Sequence, residues 1–206
     1  MADVVLVHGL WYRAWSMRVL AGRLSADGWR CHTFSYPTRK RSFAENASSL
    51  EEFCRGLHSK ELHFVAHSLG GLLVLEMMQN DPALAAGRLV LMGSPLHGSA
   101  VAARSTRIPG GKFLLGLAGE ALITGNAAIP PGCEVGMVAG TRPHGLGRVT
   151  GGLQGPSDGT VSVAETVSEG LSDRIELPVT HTGMLVSFQV AQQCSHFLSY
   201  GRFRHG

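Results

Sequence analysis

The residues A-H-S-L-G-G at 66–71 are the most informative feature of this chain. They stand between a mainly apolar run at 62–65 and a second apolar run at 72–75. A serine flanked by small residues two positions before and after it, where a strand turns into a helix, has the layout of a nucleophile elbow. The small neighbours are needed because large side chains would collide with the sharp, strained turn that projects the serine hydroxyl outward.

The first small residue of this elbow is Ala66, where the usual pattern G-x-S-x-G has glycine. One added methyl group leaves the turn sterically possible. The helix after Ser68 would direct its first free N–H groups and its positive dipole end toward an oxyanion formed beside the hydroxyl. Ser68 is therefore the candidate nucleophile. The alternative is an ordinary strand-to-helix junction that happens to contain a serine.

The composition indicates one well-buried domain spanning 1–206. The 206 residues are 44% hydrophobic and 16% charged, which excludes a disordered chain and allows a single sizeable core. The formal net charge of +3 is mild, and the basic trio at 39–41 is typical of a solvated loop. Nucleic acid is therefore not an expected partner.

The four cysteines stand singly, at positions 31, 54, 133 and 194, so we expect free thiols rather than a disulfide or metal framework. No cofactor or metal is expected. No apolar stretch is long enough to span a membrane, and no signal peptide follows Met1. These features predict a cytoplasmic protein, although a secreted protein whose signal had been replaced by Met1 would have the same sequence.

Short apolar runs alternate along the chain with longer segments of helical period. The strands are predicted at 4–7, 30–34, 62–66, 88–92, 134–139 and 174–177, and the helices at 14–26, 43–57, 69–80 and about 184–198. A capping box of Ser42 and Glu45 opens the second helix. The alternation predicts an α/β fold with about six mainly parallel strands, helices on both faces, and sites at the carboxyl ends of the strands.

The alternation breaks between about residues 94 and 132. We expect a short cap insertion around 99–130, or else a crossover helix with long flanks. Four apolar side chains in this segment would line an acyl pocket or, equally, form the buried side of a helix: Phe113, Leu114, Leu115 and Leu117.

A serine hydroxyl becomes a useful nucleophile only when a base takes its proton and a third group orients that base. His181 is the best candidate base, because it follows the strand at 174–177 and directly precedes the last helix. Its loop would therefore emerge at the carboxyl edge of the sheet, beside Ser68. His67, which directly precedes Ser68, belongs to the elbow itself and cannot easily face the Ser68 hydroxyl.

Three aspartates follow the serine in sequence: Asp81, Asp158 and Asp173. Asp81 ends a helix. Asp173 precedes its strand, at the edge of the sheet opposite to Ser68. Asp158 follows the strand at 134–139 through a long loop, which suits the third member of a triad. Ser-Asp-Gly is also a common turn, so Glu165 and Glu169 remain reserve candidates.

An oxyanion hole needs a second N–H besides that of Leu69. The segment H-G-L-W at 8–11 follows the first strand, and its glycine lets the backbone come close to the serine. The Leu10 N–H can then point into the site, and two such donors would each lower the barrier by about 3 kcal/mol. Trp11 would line the pocket, although a core tryptophan gives the same pattern.

Five motifs carry a resemblance to a known family: V-L-V-H-G-L-W at 5–11, A-H-S-L-G-G at 66–71, G-S-P-L-H-G-S at 93–99, S-D-G-T-V at 157–161 and T-H-T-G at 180–183. The chain resembles the α/β-hydrolases over almost its whole length, most closely the small bacterial lipase/esterase branch. Members of that branch also have alanine at the first elbow position. The segment 99–130 is too short for the extended lid of the family's larger lipases.

The resemblance implies that Ser68, Asp158 and His181 form a catalytic triad, with backbone donors from Leu10 and Leu69. It also implies the strand order 2-1-3-4-5-6. The leading hypothesis is hydrolysis of a small-molecule ester or lipid through an acyl-enzyme. The same machinery could act on a thioester or transfer the acyl group to another alcohol, and a non-catalytic binding protein is a third alternative. The sequence leaves the oligomeric state open.

Overall fold

The computed structural model describes residues 2–85, 87–125, 128–145, 147 and 153–206. Met1 and residues 126–127 of the expected cap lie outside the described residues. The described part contains six strands in one sheet: β1 Asp3–Val7, β2 Arg30–Phe34, β3 Leu62–His67, β4 Leu89–Met92, β5 Val135–Gly140 and β6 Asp173–Leu177. The order is β2-β1-β3-β4-β5-β6 and every pairing is parallel. This confirms the predicted sheet and its strand order, with strand ends that differ from prediction by at most one residue.

Eight α-helices accompany these strands in the described residues: α1 Arg18–Ala26, α2 Phe43–Gly56, α3 Leu69–Asn80, α4 Ala100–Ser105, α5 Gly111–Leu115, α6 Gly119–Thr124, α7 Val163–Thr166 and α8 Phe188–Tyr200. The predicted capping box of α2 is confirmed: the Glu45 N–H donates to Ser42 Oγ over 3.3 Å, and the Ser42 N–H donates to Glu45 Oε2 over 2.8 Å. None of the helices in the described residues has the length and hydropathy to cross a membrane.

Two predicted helix starts were wrong by about one turn. The first helix was expected from residue 14, but Ala14–Met17 form a 3-10 turn before α1. The last was expected from about 184, but Gly183–Leu185 form a separate 3-10 turn. Ser187 is extended and its Oγ accepts a hydrogen bond from the Val190 N–H, so α8 begins only at Phe188. A good N-cap therefore sets the helix boundary more strongly than the apolar period does.

The sheet is covered on both faces because alternate side chains of its strands point in opposite directions. Val5 and Val7 of β1 belong to a core cluster that includes buried residues of α2 and α3, whereas Val4 and Leu6 belong to one with residues of α1 and α8. The short helices α4 to α6 add Ala102, Leu115 and Leu122 to the first cluster. Burial on both faces explains why several strands are continuously apolar.

The N-terminus of α3 lies against the end of β1 so closely that residue 70 must be glycine. A Cβ added to Gly70 would come within 2.5 Å of the His8 carbonyl oxygen and 2.6 Å of the Val7 carbonyl oxygen. We expect Gly70→Ala to lower the free energy of unfolding by roughly 2 kcal/mol, because backbone must move to admit the methyl group.

The matched control is Gly22→Ala in α1, where an added Cβ meets nothing within 4 Å. This change should raise the free energy of unfolding by about 0.5–1 kcal/mol, since alanine is the better helix former. Urea unfolding of both variants measures the difference. Equal stabilities for the two variants would contradict the close contact at Gly70.

Candidate active site

Ser68 lies on a strained turn between β3 and α3. Its φ of 55° and ψ of −123° place a non-glycine residue in a region that costs about 1–3 kcal/mol. The Ser68 N–H donates to the Met92 carbonyl over 2.9 Å, and the Gly71 N–H donates to the Ser68 carbonyl over 3.0 Å. These bonds hold the turn between the parallel strand β4 and the first turn of the helix.

The loop after β1 packs directly on this elbow. A Cβ added to Gly9 would lie 3.0 Å from Ser68 Cβ, so the two backbones approach as closely as glycine permits. Leu10 follows that glycine, and Leu69 opens the helix after the serine. Among the described residues, neither of these two amide N–H groups has a hydrogen-bond partner in the protein.

His181 and Asp158 form a buried pair. His181 Nδ1 donates to Asp158 Oδ2 over 2.6 Å, and the two residues are only 7% and 1% exposed. The other carboxylate oxygen, Oδ1, accepts the N–H groups of Thr160 and Val161 over 2.8 and 2.7 Å. The His181 N–H also donates to the Asp158 carbonyl over 2.9 Å. Main-chain and side-chain bonds together fix this pair in one orientation.

The pairing defines what each nitrogen of His181 can do. Because His181 donates its Nδ1–H to the carboxylate, Nε2 of the neutral ring is left as a hydrogen-bond acceptor. His181 lines the same cavity as Ser68. The arrangement can take a proton from a hydroxyl in that cavity and stabilise the imidazolium that results.

The remaining carboxylates that the sequence offered are engaged elsewhere. Asp81 Oδ2 lies 2.7 Å from a nitrogen of Arg55, and Asp173 accepts the Phe203 N–H over 2.7 Å. Glu165 caps α7 through Ser162 and also accepts the Ala100 N–H over 2.6 Å. Glu169 is exposed. Within the described part of the chain, Asp158 is the carboxylate in contact with His181.

His67 makes a contact that the sequence did not reveal. It is fully buried, and its Nε2–H donates to the His181 carbonyl over 3.0 Å. The two rings lie 4.5 Å apart between centroids. Burial lowers the pKa of His67 well below its usual value, and the neighbouring His181 lowers it further. His67 therefore stays neutral and supports the loop that carries His181. No sequence signal links two residues this far apart in the chain.

Burial also lowers the pKa values of His8 and His63 from the ordinary value of 6.5. With His67, these imidazoles make the fold sensitive to acid. Below about pH 6.5 the unfolded chain binds protons that the folded chain does not, so the free energy of unfolding falls as the pH falls. Each group steepens the slope by at most about 1.4 kcal/mol per pH unit.

We expect His67→Gln to flatten this dependence between pH 6.5 and 5, measured by urea unfolding at several pH values. The control is His97→Gln, which removes an exposed histidine instead of a buried one. Identical slopes for His67→Gln and the unmodified protein would contradict a depressed pKa at His67.

The cavity at Ser68 has a volume of about 330 Å³. Its walls are mainly apolar and come from the loop after β1, the helices α4 to α6 and the segments around 144–145, 160–161 and 181–182. Leu114 and Leu115 line it, but Phe113 and Leu117 do not; these two are 77% and 62% exposed. Two of the four apolar residues considered for an acyl pocket therefore line the cavity.

Trp11 also lines the cavity, and its backbone φ of 66° is in the left-handed region. It is half exposed, and its indole Nε1–H donates to the Leu114 carbonyl over 2.8 Å. The side chain thus ties the loop after β1 to α5. The described residues contain no cluster of three or more histidine, cysteine or carboxylate side chains that could hold a metal ion.

Comparison with known proteins gives a family and a fold. The sequence pattern described as "Alpha/beta hydrolase family" matches residues 4–181. No curated protein sequence matches significantly. Among solved structures, the mature lipase BlEst2 of Bacillus licheniformis superposes with a TM-score of 0.82 at 17% identity, covering 97% of this chain and 91% of that one.

Two further structures show the same fold. A metagenomic carboxyl esterase, MGS0156, gives a TM-score of 0.70 at 19% identity over 87% of this chain and 64% of that chain. The NocB thioesterase domain from the nocardicin cluster gives 0.60 at 21% identity, covering 96% of this chain and 94% of that chain. At these identities the likeness is one of fold.

Proposed function

The chain belongs to the alpha/beta hydrolase family, and we propose that it is a serine hydrolase that cleaves carboxylic esters through an acyl-enzyme on Ser68. One observation carries this proposal. His181, joined to the buried Asp158 by a 2.6 Å hydrogen bond, lines the same apolar cavity as a serine held at positive φ. That is the combination of nucleophile, base and orienting acid that acyl transfer requires.

In the first half of the reaction, Ser68 Oγ attacks the ester carbonyl carbon while His181 Nε2 takes the hydroxyl proton. The carbonyl oxygen becomes an oxyanion, which the N–H groups of Leu10 and Leu69 stabilise. The imidazolium then donates its proton to the leaving alcohol as the carbon–oxygen bond breaks, and the acyl group stays on Ser68. Asp158 keeps its negative charge throughout and stabilises the imidazolium.

In the second half, water takes the place of the alcohol. His181 removes a proton from that water as its oxygen attacks the acyl carbon. The second tetrahedral intermediate uses the same two N–H groups. The bond to Ser68 Oγ breaks, Oγ recovers its proton from His181, and the carboxylic acid leaves.

The cavity supports an acyl chain as the part of the substrate held beside Ser68. Its volume of about 330 Å³ is at the small end of ligand pockets, and its lining includes Leu10, Val101, Leu115 and Leu122. We propose that the chain is one domain and that α4 to α6, within 99–130, form its cap. The lipase and carboxyl esterase among the structural relatives favour a carboxylic ester.

Hydrolysis of p-nitrophenyl esters from acetyl to lauroyl tests the proposal. A cavity of this size should give a maximum of kcat/KM at a medium acyl length and a decline for lauroyl. Absence of hydrolysis across the whole series, with folded protein confirmed by circular dichroism, would overturn the assignment of an esterase.

The NocB thioesterase domain among the structural relatives favours a second candidate, hydrolysis of an acyl thioester by the same residues. Acyl thioesters of the same chain lengths distinguish the two. A kcat/KM for the thioester above that for the matched oxygen ester would assign the chain to thioesters.

A further inference from the structure

A second groove lies beside the apolar cavity and differs from it in charge. It has a volume of about 1090 Å³, and Trp11 and Tyr12 line both spaces. Its walls also carry four cationic side chains: Arg13, Arg39, Lys40 and Lys112. Among the described residues, no aspartate or glutamate lines the groove. Within the same residues, none of the four cations forms an ion pair.

One of these cations is held in place by the protein. Arg39 is half-buried, its Nη2 donates to the Phe113 carbonyl over 3.0 Å, and its guanidinium lies 4.8 Å from the centroid of the Phe113 ring. The Leu117 N–H donates to the Arg39 carbonyl over 3.2 Å. Arg39 Nε is buried with no hydrogen-bond partner among the described residues. The guanidinium is therefore fixed at the wall of the groove by its contacts with Phe113.

Four like charges around one concave surface repel one another, and an anion in the groove would remove that repulsion. Low-dielectric walls focus the positive potential into the groove. Arginine offers a planar set of donors and lysine a mobile point charge, a combination that binds phosphate well. Because Trp11 and Tyr12 border both spaces, a substrate with its acyl chain in the cavity can extend its other half into the groove.

We propose that this groove binds a phosphate group on the leaving-group half of the substrate. The protein therefore prefers phosphate-bearing esters or thioesters to neutral ones with the same acyl chain. This inference rests on the proposed acyl hydrolysis at Ser68. The shared chemistry is the phosphate, whether it belongs to a lipid headgroup or to a nucleotide carrier.

Two matched pairs of substrates test it: octanoylglycerol phosphate against octanoylglycerol, and octanoyl-coenzyme A against octanoyl-pantetheine. All are used below the concentrations at which they form micelles. We expect kcat/KM to be about tenfold or more higher for the phosphate-bearing member of at least one pair at low salt, and the ratio to fall as salt is added. The pair with the larger ratio identifies the source of the phosphate.

The test variant is R13Q/K40Q/K112Q, which removes three of the four groove cations, keeps Arg39, and should lower that ratio several-fold. Its matched control is K60Q/R202Q/R204Q, which removes the same charge from three exposed cations that do not line the groove. The control should keep the ratio of the unmodified protein. A similar loss in both variants would indicate a long-range effect of net charge and overturn the groove as the binding site.

Binding to S68A separates the inference from the proposed function. Calorimetry should detect octanoylglycerol phosphate or octanoyl-coenzyme A binding to S68A, and much weaker binding when the three groove substitutions are added.

Hydrolysis with equal kcat/KM for the charged and neutral members of both pairs would overturn the inference and leave the proposed esterase activity intact. Groove-dependent binding without hydrolysis of any substrate by the unmodified protein would overturn the proposed function. If the phosphate-bearing substrates were preferred only when presented on vesicles, the exposed Phe113 and Leu117 would be the residues that dock on the membrane. That result would overturn the phosphate site.

Discussion

Replacing Ser68 with alanine is expected to lower kcat/KM for the best p-nitrophenyl ester by at least about 10⁴-fold, because the acyl-enzyme can no longer form. The residual rate would come from the N–H groups of Leu10 and Leu69 and from substrate binding. Alanine keeps the backbone strain at position 68, so the melting temperature should stay close to that of the unmodified protein. Steady-state kinetics with a circular dichroism melt measures both.

The matched control is Ser105→Ala. Ser105 lines the same cavity, but its hydroxyl donates to the Val101 carbonyl over 2.7 Å, and no hydrogen bond joins it to a histidine within the described residues. We expect its activity to change by only a few fold. If Ser105→Ala lost activity and Ser68→Ala kept it, the nucleophile would be misassigned.

Replacing Asp158 with asparagine is expected to cost about 10⁴-fold in kcat. The neutral amide cannot stabilise the imidazolium. When the amide NH₂ group faces Nδ1, the imidazole carries its proton on Nε2 instead, and Nε2 can then no longer act as the base. An asparagine oxygen can still accept the N–H groups of Thr160 and Val161, so the loop should keep its shape.

Glu165→Gln is the control for this variant, since Glu165 was a reserve candidate for the acid. Glu165 accepts hydrogen bonds from Ser162 and the Ala100 N–H, so the change should reduce stability rather than kcat. A large loss of kcat in Glu165→Gln, with Asp158→Asn active, would reverse the assignment of the acid.

The fold could be predicted from the sequence because its signals are local. The elbow at 66–71 needs small residues next to Ser68, the buried parallel strands need apolar runs, and the capping box of α2 is read from Ser42 and Glu45. Each of these constraints acts within a few residues. The parallel sheet then follows from the alternation of strands and helices.

The errors arose where local signals compete or where partners are distant. The apolar period continued through residues 184–187, but the cap at Ser187 started α8 later. In the cap segment the period did not show which of Phe113 and Leu114 faces the cavity, because both are apolar and the helix is short. The contact between His67 and His181 depends on tertiary packing alone.

Reaction with a fluorophosphonate probe tests whether Ser68 is an activated nucleophile, because this reagent bonds covalently to an activated serine. We expect one adduct per chain by intact mass, located on the peptide that contains Ser68. The adduct should be missing in Ser68→Ala, and it should form far more slowly when position 181 is alanine. A folded protein that takes up no probe, or whose adduct lies on another serine, would contradict the assignment of Ser68 as the nucleophile.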